Sequence, residues 1–471
     1  MHPKPNSQDL AIAHAFPPSH PESAQPTAIS RRVFLQTGSA ALLASAAGMA
    51  GTTAAAATPA AARPFAAAPI DTVRIGFVGI GGQGGGHVNN LLKIPGCRIT
   101  AVCDLRPERT AWAAQAIAAA GHPAPTAYAG GPRDFERLCA HEDLDLVYNA
   151  TPWEFHVPIM LAAMQNGKHA ATEVPAAMTL EDCWALVETA EKHQKHCVMM
   201  ENCNYDRMEM MVFNMVRQGV FGEILHAEGG YLHDLRAGKF ANSGEGLWRR
   251  AWAERLNGNL YPTHGLGPLA NCLDINRGDR FEYLTSMSGP SRGLQNWAAE
   301  HYPPDAPQRR ETFALGDVNT SLIKTANGKT LMVQHCTNLP MPYSRIHKIQ
   351  GTKGLFQGYP DRAYIDGRGP IDQWLDAASL LAEFEHPLWK EMAAQAQGAG
   401  HGGMDYLEDY RLIQCLRHGL PTDMNVYDAA TLSAVVQLSC QSVAQRGQPV
   451  DFPDFTRDRW KTLPPLPILH V

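Results

Sequence analysis

The most constraining feature of this chain is the run Val73-Arg74-Ile75-Gly76-Phe77-Val78 leading straight into Gly79-Ile80-Gly81-Gly82-Gln83-Gly84. A short, largely apolar and β-branched segment reads as a strand buried on both faces, the habit of a parallel sheet. The glycines that follow match G-x-G-x-x-G, and the stretch His87 to Lys93 reads as a helix. A second strand, Arg98 to Cys103, ends in Asp104, 20 residues beyond Gly84. A lone glycine match says little; one set between strand and helix, with an acid at that distance, points to a dinucleotide. Gly79 permits the tight turn, and Gly84 lets the helix close on the strand. Gly81, with Gly82 and Gln83 beside it, brings backbone N–H groups to a pyrophosphate. The helix N-terminus adds partial positive charge. Asp104 would accept hydrogen bonds from ribose hydroxyls and repel a 2′-phosphate. The expected cofactor is therefore NAD, with Arg106 close enough to argue the other way.

The alternation continues. Leu144 to Asn149, His169 to Glu173 and Val198 to Asn202 read as strands, while Glu154 to Gln165, Leu180 to Lys195 and Arg207 to Arg217 read as helices. In a doubly wound sheet the loops after the strands gather the ligand contacts. Here those loops carry Trp153, Glu154, Phe155 and His156, then Glu173 and Val174, then Asn202. Beyond Gly222 the pattern changes to strand-like runs: Ile224 to His233, Asp317 to Thr325, Thr330 to Thr337 and Arg345 to Gly351. Met404 to His418 and Tyr427 to Gln445 read as helices. The expected class is α/β: a Rossmann dinucleotide-binding domain (70–205), an α+β domain with a large, mostly antiparallel sheet (206–425), and a C-terminal helix and tail (426–471). An open sheet face of this kind pairs subunits, so a homo-oligomer is expected.

The 46 acidic against 40 basic residues, with no basic block, exclude a dedicated nucleic-acid binder. Ten cysteines without a Cys-x-x-Cys pair give no zinc or dithiol motif. His401-Gly402-Gly403-Met404-Asp405 offers only two ligand side chains, so no metal site is expected. Met208, Met210, Met211 and Met215 share a helical stretch and are expected in the core. Residues 1–57 read as an address. Ser30-Arg31-Arg32-Val33-Phe34-Leu35 fits a twin-arginine export signal, followed by the weakly apolar Ala40 to Ala50 and small residues at Ala54 to Ala57. An Ala/Pro-rich linker, 58–69, comes next. The expected location is periplasmic or secreted, with the twin-arginine translocon as partner during export. Folding before export would load the cofactor in the cytoplasm and leave the cysteines unpaired.

The order of elements resembles the glucose-fructose oxidoreductase/inositol dehydrogenase superfamily. There the loop after the fifth strand reads Glu-Lys-Pro, and a later His is followed three residues on by Asp. This chain has Glu173-Val174-Pro175, and Gly267 where the Asp would follow His264. A valine cannot do acid–base work. The set Trp153-Glu154-Phe155-His156, Glu173-Val174, Asn202, Tyr231 to Arg236 and Tyr261-Pro262-Thr263-His264 is similar instead to glycoside hydrolase family 109. That family usually has Trp where this chain has Phe155.

The resemblance implies an NAD-dependent α-N-acetylgalactosaminidase working by oxidation at C3, elimination across C1–C2, hydration and re-reduction. It implies His264, Tyr261 and Glu173 at the chemical centre. Tyr231, Arg249, Pro262, Thr263 and Tyr343 would join Tyr261 and His264 at the glycan. Imidazole suits proton transfer near neutral pH, and tyrosine suits a sugar by packing on C–H faces while its hydroxyl reaches ring oxygens. Two rival readings remain at this point: an NAD-linked sugar or cyclitol dehydrogenase, and a silent sugar-binding protein on the same fold.

Overall fold

The buried apolar runs of the first half build a six-stranded parallel sheet. Its strands are β1 (Val73–Val78), β2 (Cys97–Cys103), β3 (Thr126–Tyr128), β4 (Leu146–Asn149), β5 (His169–Thr172) and β6 (Cys197–Met199). They lie in the order β3-β2-β1-β4-β5-β6, each pair parallel. The strand order reverses between β1 and β4, so the crevice beyond their carboxyl ends is the ligand position of a doubly wound sheet. Helices α1 (Gly82–Leu91), α2 (Pro107–Ala119), α3 (Phe135–Cys139), α4 (His156–Gln165) and α5 (Leu180–His193) make the crossovers. The computed structural model describes residues 67–471 apart from Glu142. The twin-arginine segment and most of the linker lie outside the described residues.

Two boundaries differ from the sequence expectation for physical reasons. Helix α1 begins at Gly82, not His87. Glycine is a poor helix former, but here its lack of a side chain lets the first turn pack on the strand. A Cβ at Gly84 would collide with the carbonyl oxygen of Gly79. Strand β6 stops at Met199, and the residues expected to prolong it turn into the 3-10 helix Asn202–Tyr205. The Glu201 carboxylate starts that turn by accepting the Cys203 N–H at 3.2 Å.

Helix α6 (Arg207–Arg217) is capped by Asp206, whose Oδ1 accepts the Met208 N–H at 2.9 Å. Met210, Met211 and Met215 are buried there. The second half forms a nine-stranded sheet from β7 (Ile224–Leu232), β8 (Phe281–Ser288), β9 (Asn319–Thr325), β10 (Thr330–Cys336), β11 (Lys348–Gly351), β12 (Gly354–Gln357), β13 (Arg362–Ile365), β14 (Leu375–Asp376) and β15 (Val450–Asp451). The order is β14-β13-β12-β11-β7-β10-β9-β8-β15, and only β7 and β10 pair in parallel. Burial alternates along β9, the mark of a sheet covered on one face. Met287 and Leu322 stand exposed on the other.

Helices α7 (Arg236–Lys239), α8 (Gly246–Arg255), α9 (Thr263–Leu273) and α10 (Gly293–His301) lie between the first strands of this sheet. The chain continues through α11 (Leu381–Phe384), α12 (Pro387–Ala396), α13 (Met404–His418) and α14 (Val426–Ala444). Helix α9 crosses β7 where Gly265 meets Gly229 and Gly230; a Cβ at any of these would strike backbone or a packed side chain. That crossing sets the first turn of α9 beside the carboxyl end of β7. Helix α13 packs on α1, and α14 packs on α5, β6 and β8. Two late helices thus return to the first sheet. Among the described residues no helix is long and apolar enough to cross a membrane, and all ten cysteines are free.

Candidate active site

The nucleotide loop fits the group its spacing suggests. Gly79 has φ +86°, the left-handed region that favours glycine, and a Cβ there would meet the Ala150 carbonyl carbon at 2.7 Å. Beyond it Gly81 and Gly82 face open space, with nothing within 4 Å of an added Cβ. Helix α1 carries neither a side-chain cap nor an acid in its first turn. Its leading N–H groups are therefore left for an anion. Gln83 extends its amide to Asp405 Oδ2, 3.3 Å away. Asp104 is anchored to the loop: Oδ2 accepts the Ile80 N–H at 2.7 Å and Oδ1 the Arg106 N–H at 2.9 Å. A carboxylate has lone pairs beyond these for ribose hydroxyls. The Arg106 side chain turns back onto the same Asp104 oxygen at 3.4 Å.

The loops after β4 and β5 are tied together. Trp153 Nε1 donates to the Val174 carbonyl at 3.2 Å. The two ring nitrogens of His156 lie 2.7 and 2.8 Å from the carbonyl oxygens of Pro175 and Thr151. Burial holds the His156 pKa below its ordinary value. Its imidazole is thus a strut between loops. Phe155 is half-buried, while the Glu154 side chain is exposed and stands apart from the cluster. Val174 is buried. Glu173 Oε1 lies 2.7 Å from His87 Nε2, and Asn202 Nδ2 donates to Asp405 Oδ1 at 2.7 Å.

The residues expected at a sugar form one aromatic lining that abuts those loops. Tyr261 stacks on Trp153 with centroids 5.8 Å apart, and lies 4.6 Å from Tyr231 and 4.8 Å from His264. Tyr231 meets Tyr343 edge-on at 6.0 Å, and its hydroxyl is 3.2 Å from His233 Nδ1. The Arg249 guanidinium sits 4.5 Å above the Tyr261 ring and 5.2 Å from Trp153, and pairs with Glu245 at 2.8 Å. Burial pushes the Tyr231 phenol up to about 12 and the Tyr261 phenol well above its ordinary range. Both are hydroxyl donors at neutral pH, not bases. Pro262 precedes α9 and Thr263, wholly buried, opens it.

His264, in the first turn of α9, has a partner that sequence reading missed. Its Nδ1 lies 2.6 Å from Oε1 of Glu201, a fully buried carboxylate at the end of β6. Burial would raise the Glu201 pKa, but the neighbouring His264 imidazole and the hydrogen bonds from His264 and the Cys203 N–H bring it below the usual value. A carboxylate can only accept, so Nδ1 carries the hydrogen and Nε2 is left as the basic nitrogen. Gly267 makes this possible. A Cβ on Gly267 would lie 2.7 Å from Glu201 Cγ, so the position three residues after His264 is cleared for the carboxylate of Glu201, in the turn after β6.

His87 and Asp409 also escaped the sequence reading, and Asp405 entered it only as a metal ligand to be set aside; helix α1 sets His87 against Glu173, while helix α13 brings Asp409 to His87 and Asp405 to Asn202. Glu201 was adjacent to the flagged Asn202, the only local hint. Ligand atoms of Glu201, Cys203 and His264 lie within 4.8 Å of one another, a donor set able to hold a metal ion.

Comparison with known proteins finds matches to both halves of the chain. Residues 73–201 match the oxidoreductase family with an NAD-binding Rossmann fold, and residues 205–462 match the glycosyl hydrolase 109 C-terminal domain. A glycosyl hydrolase family 109 protein of Shewanella pealeana is 47% identical over 394 residues, covering 83% of this chain and 86% of its own. One of Saccharopolyspora erythraea is 48% identical over 383 residues, covering 81% and 83%. Among solved structures, a levoglucosan dehydrogenase in complex with NADH and L-sorbose superposes with a TM-score of 0.61 at 20% identity, over 82% of this chain and 100% of that one. The scyllo-inositol dehydrogenase of Lactobacillus casei with bound NAD(H) and scyllo-inositol gives 0.57 at 16% identity, over 81% and 99%. These two share the fold. The near half-identity across most of the length, with the family's own C-terminal domain in place, makes the chain a member of glycosyl hydrolase family 109 built on an NAD-binding Rossmann domain.

Proposed function

We propose that the protein is an exported α-N-acetylgalactosaminidase that releases terminal α-linked N-acetylgalactosamine through a redox-neutral cycle on bound NAD. The observation that carries the reading is the His264–Glu201 pair set in an aromatic cluster that abuts the nucleotide loops. When bound, the nicotinamide supplies a reversible hydride acceptor for a sugar carbon. The chain's own residues do the rest. Tyr231, Tyr261 and Tyr343 pack the C–H faces of the sugar and donate hydroxyl hydrogens to its oxygens. Nε2 of His264 takes and returns a proton at the C3 hydroxyl or C2, while Glu201 holds Nδ1 and fixes the ring. Arg249, held by Glu245 above Tyr261, offers fixed positive charge at the aromatic cluster.

Two features support this over direct displacement or simple dehydrogenation. A conventional glycosidase flanks the bond with two carboxylates, one free to attack or activate water. Here Glu201 is wholly buried and spent on His264. A superfamily dehydrogenase uses lysine after the fifth strand, and this chain has the buried Val174. The twin-arginine reading of residues 30–35 supports export of the folded, loaded protein to the periplasm or beyond. The exposed sheet face with Met287 and Leu322 supports a homo-oligomer.

Incubation with an aryl α-N-acetylgalactosaminide in deuterated water tests the cycle. The expected product carries deuterium at C2, and NADH does not accumulate. Hydrolysis without C2 deuterium sinks the elimination route; steady NADH formation from a free sugar replaces it with a dehydrogenase.

A further inference from the structure

A buried ion cluster joins the two ends of the chain beside the nucleotide loop. His87 Nδ1 lies 2.9 Å from both oxygens of Asp409, and Nε2 lies 2.7 Å from Glu173 Oε1. Asp409 also accepts from Tyr148 Oη at 2.8 Å and Asn90 Nδ2 at 3.0 Å. The His87 and Asp409 side chains have no solvent exposure, and Glu173 retains 17%. Helix α1, strand β4, the loop after β5 and helix α13 each contribute a member.

Packing does not account for such a cluster. Buried ion pairs are expensive to desolvate, and well-fitted apolar replacements are often neutral or stabilising. Carboxylates occupy both ring nitrogens, so the imidazole donates on both sides. Burial alone would lower the His87 pKa, but Asp409 and Glu173 together carry it well above the ordinary histidine value. Glu408, also on α13 and fully buried, has its carboxyl raised by burial, and the Gln83 amide beside His87 donates to Asp405 Oδ2.

We propose that His87 and Asp409 form a positioning relay that fixes the Glu173 carboxylate at the cofactor site. Neither residue touches the sugar in the reading above; both act through Glu173. Asp409 is held by two further donors, Asp409 orients His87, and His87 holds Glu173 Oε1, leaving Oε2 for hydroxyls of the ligand. The logic is that of a buried carboxylate that orients an imidazole, which in turn orients the acting group. The relay also makes the nucleotide site depend on α13, a helix from the far end of the chain. The inference rests on Glu173 being a cofactor-site group.

A double-mutant cycle on the full chain tests it, with NAD affinity read by calorimetry and turnover of the aryl glycoside read in parallel. Asp409→Asn and Glu173→Gln should each weaken NAD binding about tenfold or more, the scale of lost outer-shell partners. The double variant should bind within about threefold of Glu173→Gln alone, because the relay has nothing left to act through. Asp409→Asn should also lower kcat and leave KM for the glycoside unchanged. Losses that multiply in the double variant overturn the relay and leave the Glu173 reading intact. Wild-type NAD affinity and turnover in Glu173→Gln overturn both. If Asp409→Asn fails to fold, Tyr148→Phe, which removes one hydroxyl from Asp409, takes its place. A loss that persists undiminished on Glu173→Gln then overturns the relay.

Discussion

Single residues divide between those whose neighbours in sequence announced them and those whose partners lie far away. Tyr261 and His264 sit in one tetrapeptide, so their type and spacing were enough to flag them. Glu201 and His264 are 63 residues apart, and Gln83 and Asp405 322 apart. No local pattern carries such pairings. Asp405 joins such distant partners, Asn202 and His87, to a local one, His401. Burial would raise its carboxyl, but hydrogen bonds from His401 and Asn202 and the charge of His87 hold it at about 2, against an ordinary 3.8. A folded-state pKa below the unfolded one gives stability that is complete above the unfolded value and lost as pH falls through the folded one. The window is therefore between about pH 4 and pH 2, and the shift is worth about 2 kcal/mol. Urea unfolding of the wild type and of Asp405→Asn, at pH 5 and again near pH 2, checks it. The wild type should lose about 2 kcal/mol more than the variant on acidification. Equal losses would show that Asp405 is not the titrating group.

Elements were readable where burial imposes a simple pattern. The strands of the first sheet are short apolar runs, and α13 starts and stops where its pattern predicts, ending at Gly419 in the left-handed conformation. The short strands β3, β12 to β14 and β15 were missed, because four residues or fewer carry too little period to stand out, and the eight-residue β8 was missed as well. Helix α9 was missed for a different reason. Its sequence, Thr-His-Gly-Leu-Gly-Pro, is rich in residues that disfavour helix, yet its glycines let it cross β7 closely and leave space for Glu201. That choice is testable. At Gly267→Ala the added Cβ falls 2.7 Å from Glu201 Cγ and 2.8 Å from Asn204 Oδ1, with a fully buried carboxylate unable to swing away. Overpacking of this kind costs about 1–3 kcal/mol. Displacing Glu201 should also lower kcat about tenfold or more, since the imidazole loses its fixed orientation. Gly238→Ala, where nothing lies within 4 Å of the new Cβ, is the control and should leave both quantities unchanged. Wild-type turnover in Gly267→Ala would remove Gly267 and Glu201 from the account of how His264 is aimed.

At the scale of the whole molecule, the linear reading of successive blocks conceals the return of α13 and α14 to the first sheet. Only a three-dimensional packing preference decides such a return, and amphipathic pattern alone does not name the surface a helix will choose. The consequence is that the nucleotide loop is held from outside its own half: Asp405 reaches Gln83 and Asn202, and Asp409 reaches His87 and Asn90. A cofactor enclosed this way stabilises the fold by mass action, about 2.7 kcal/mol at a hundredfold excess over its Kd. In the proposed redox-neutral cycle one NAD serves every turnover, so retention costs the catalyst nothing, whereas a dehydrogenase must exchange its cofactor each time. Protein unfolded, freed of nucleotide and refolded should therefore show a lower thermal midpoint and no glycoside cleavage. Added NAD should restore both in proportion to occupancy, and one equivalent should suffice for many turnovers. Cleavage by the stripped protein at the loaded rate would mean that the hydrolytic chemistry lies elsewhere on the chain and that the Rossmann half serves stability alone. A requirement for stoichiometric NAD would instead turn the reading to a dehydrogenase.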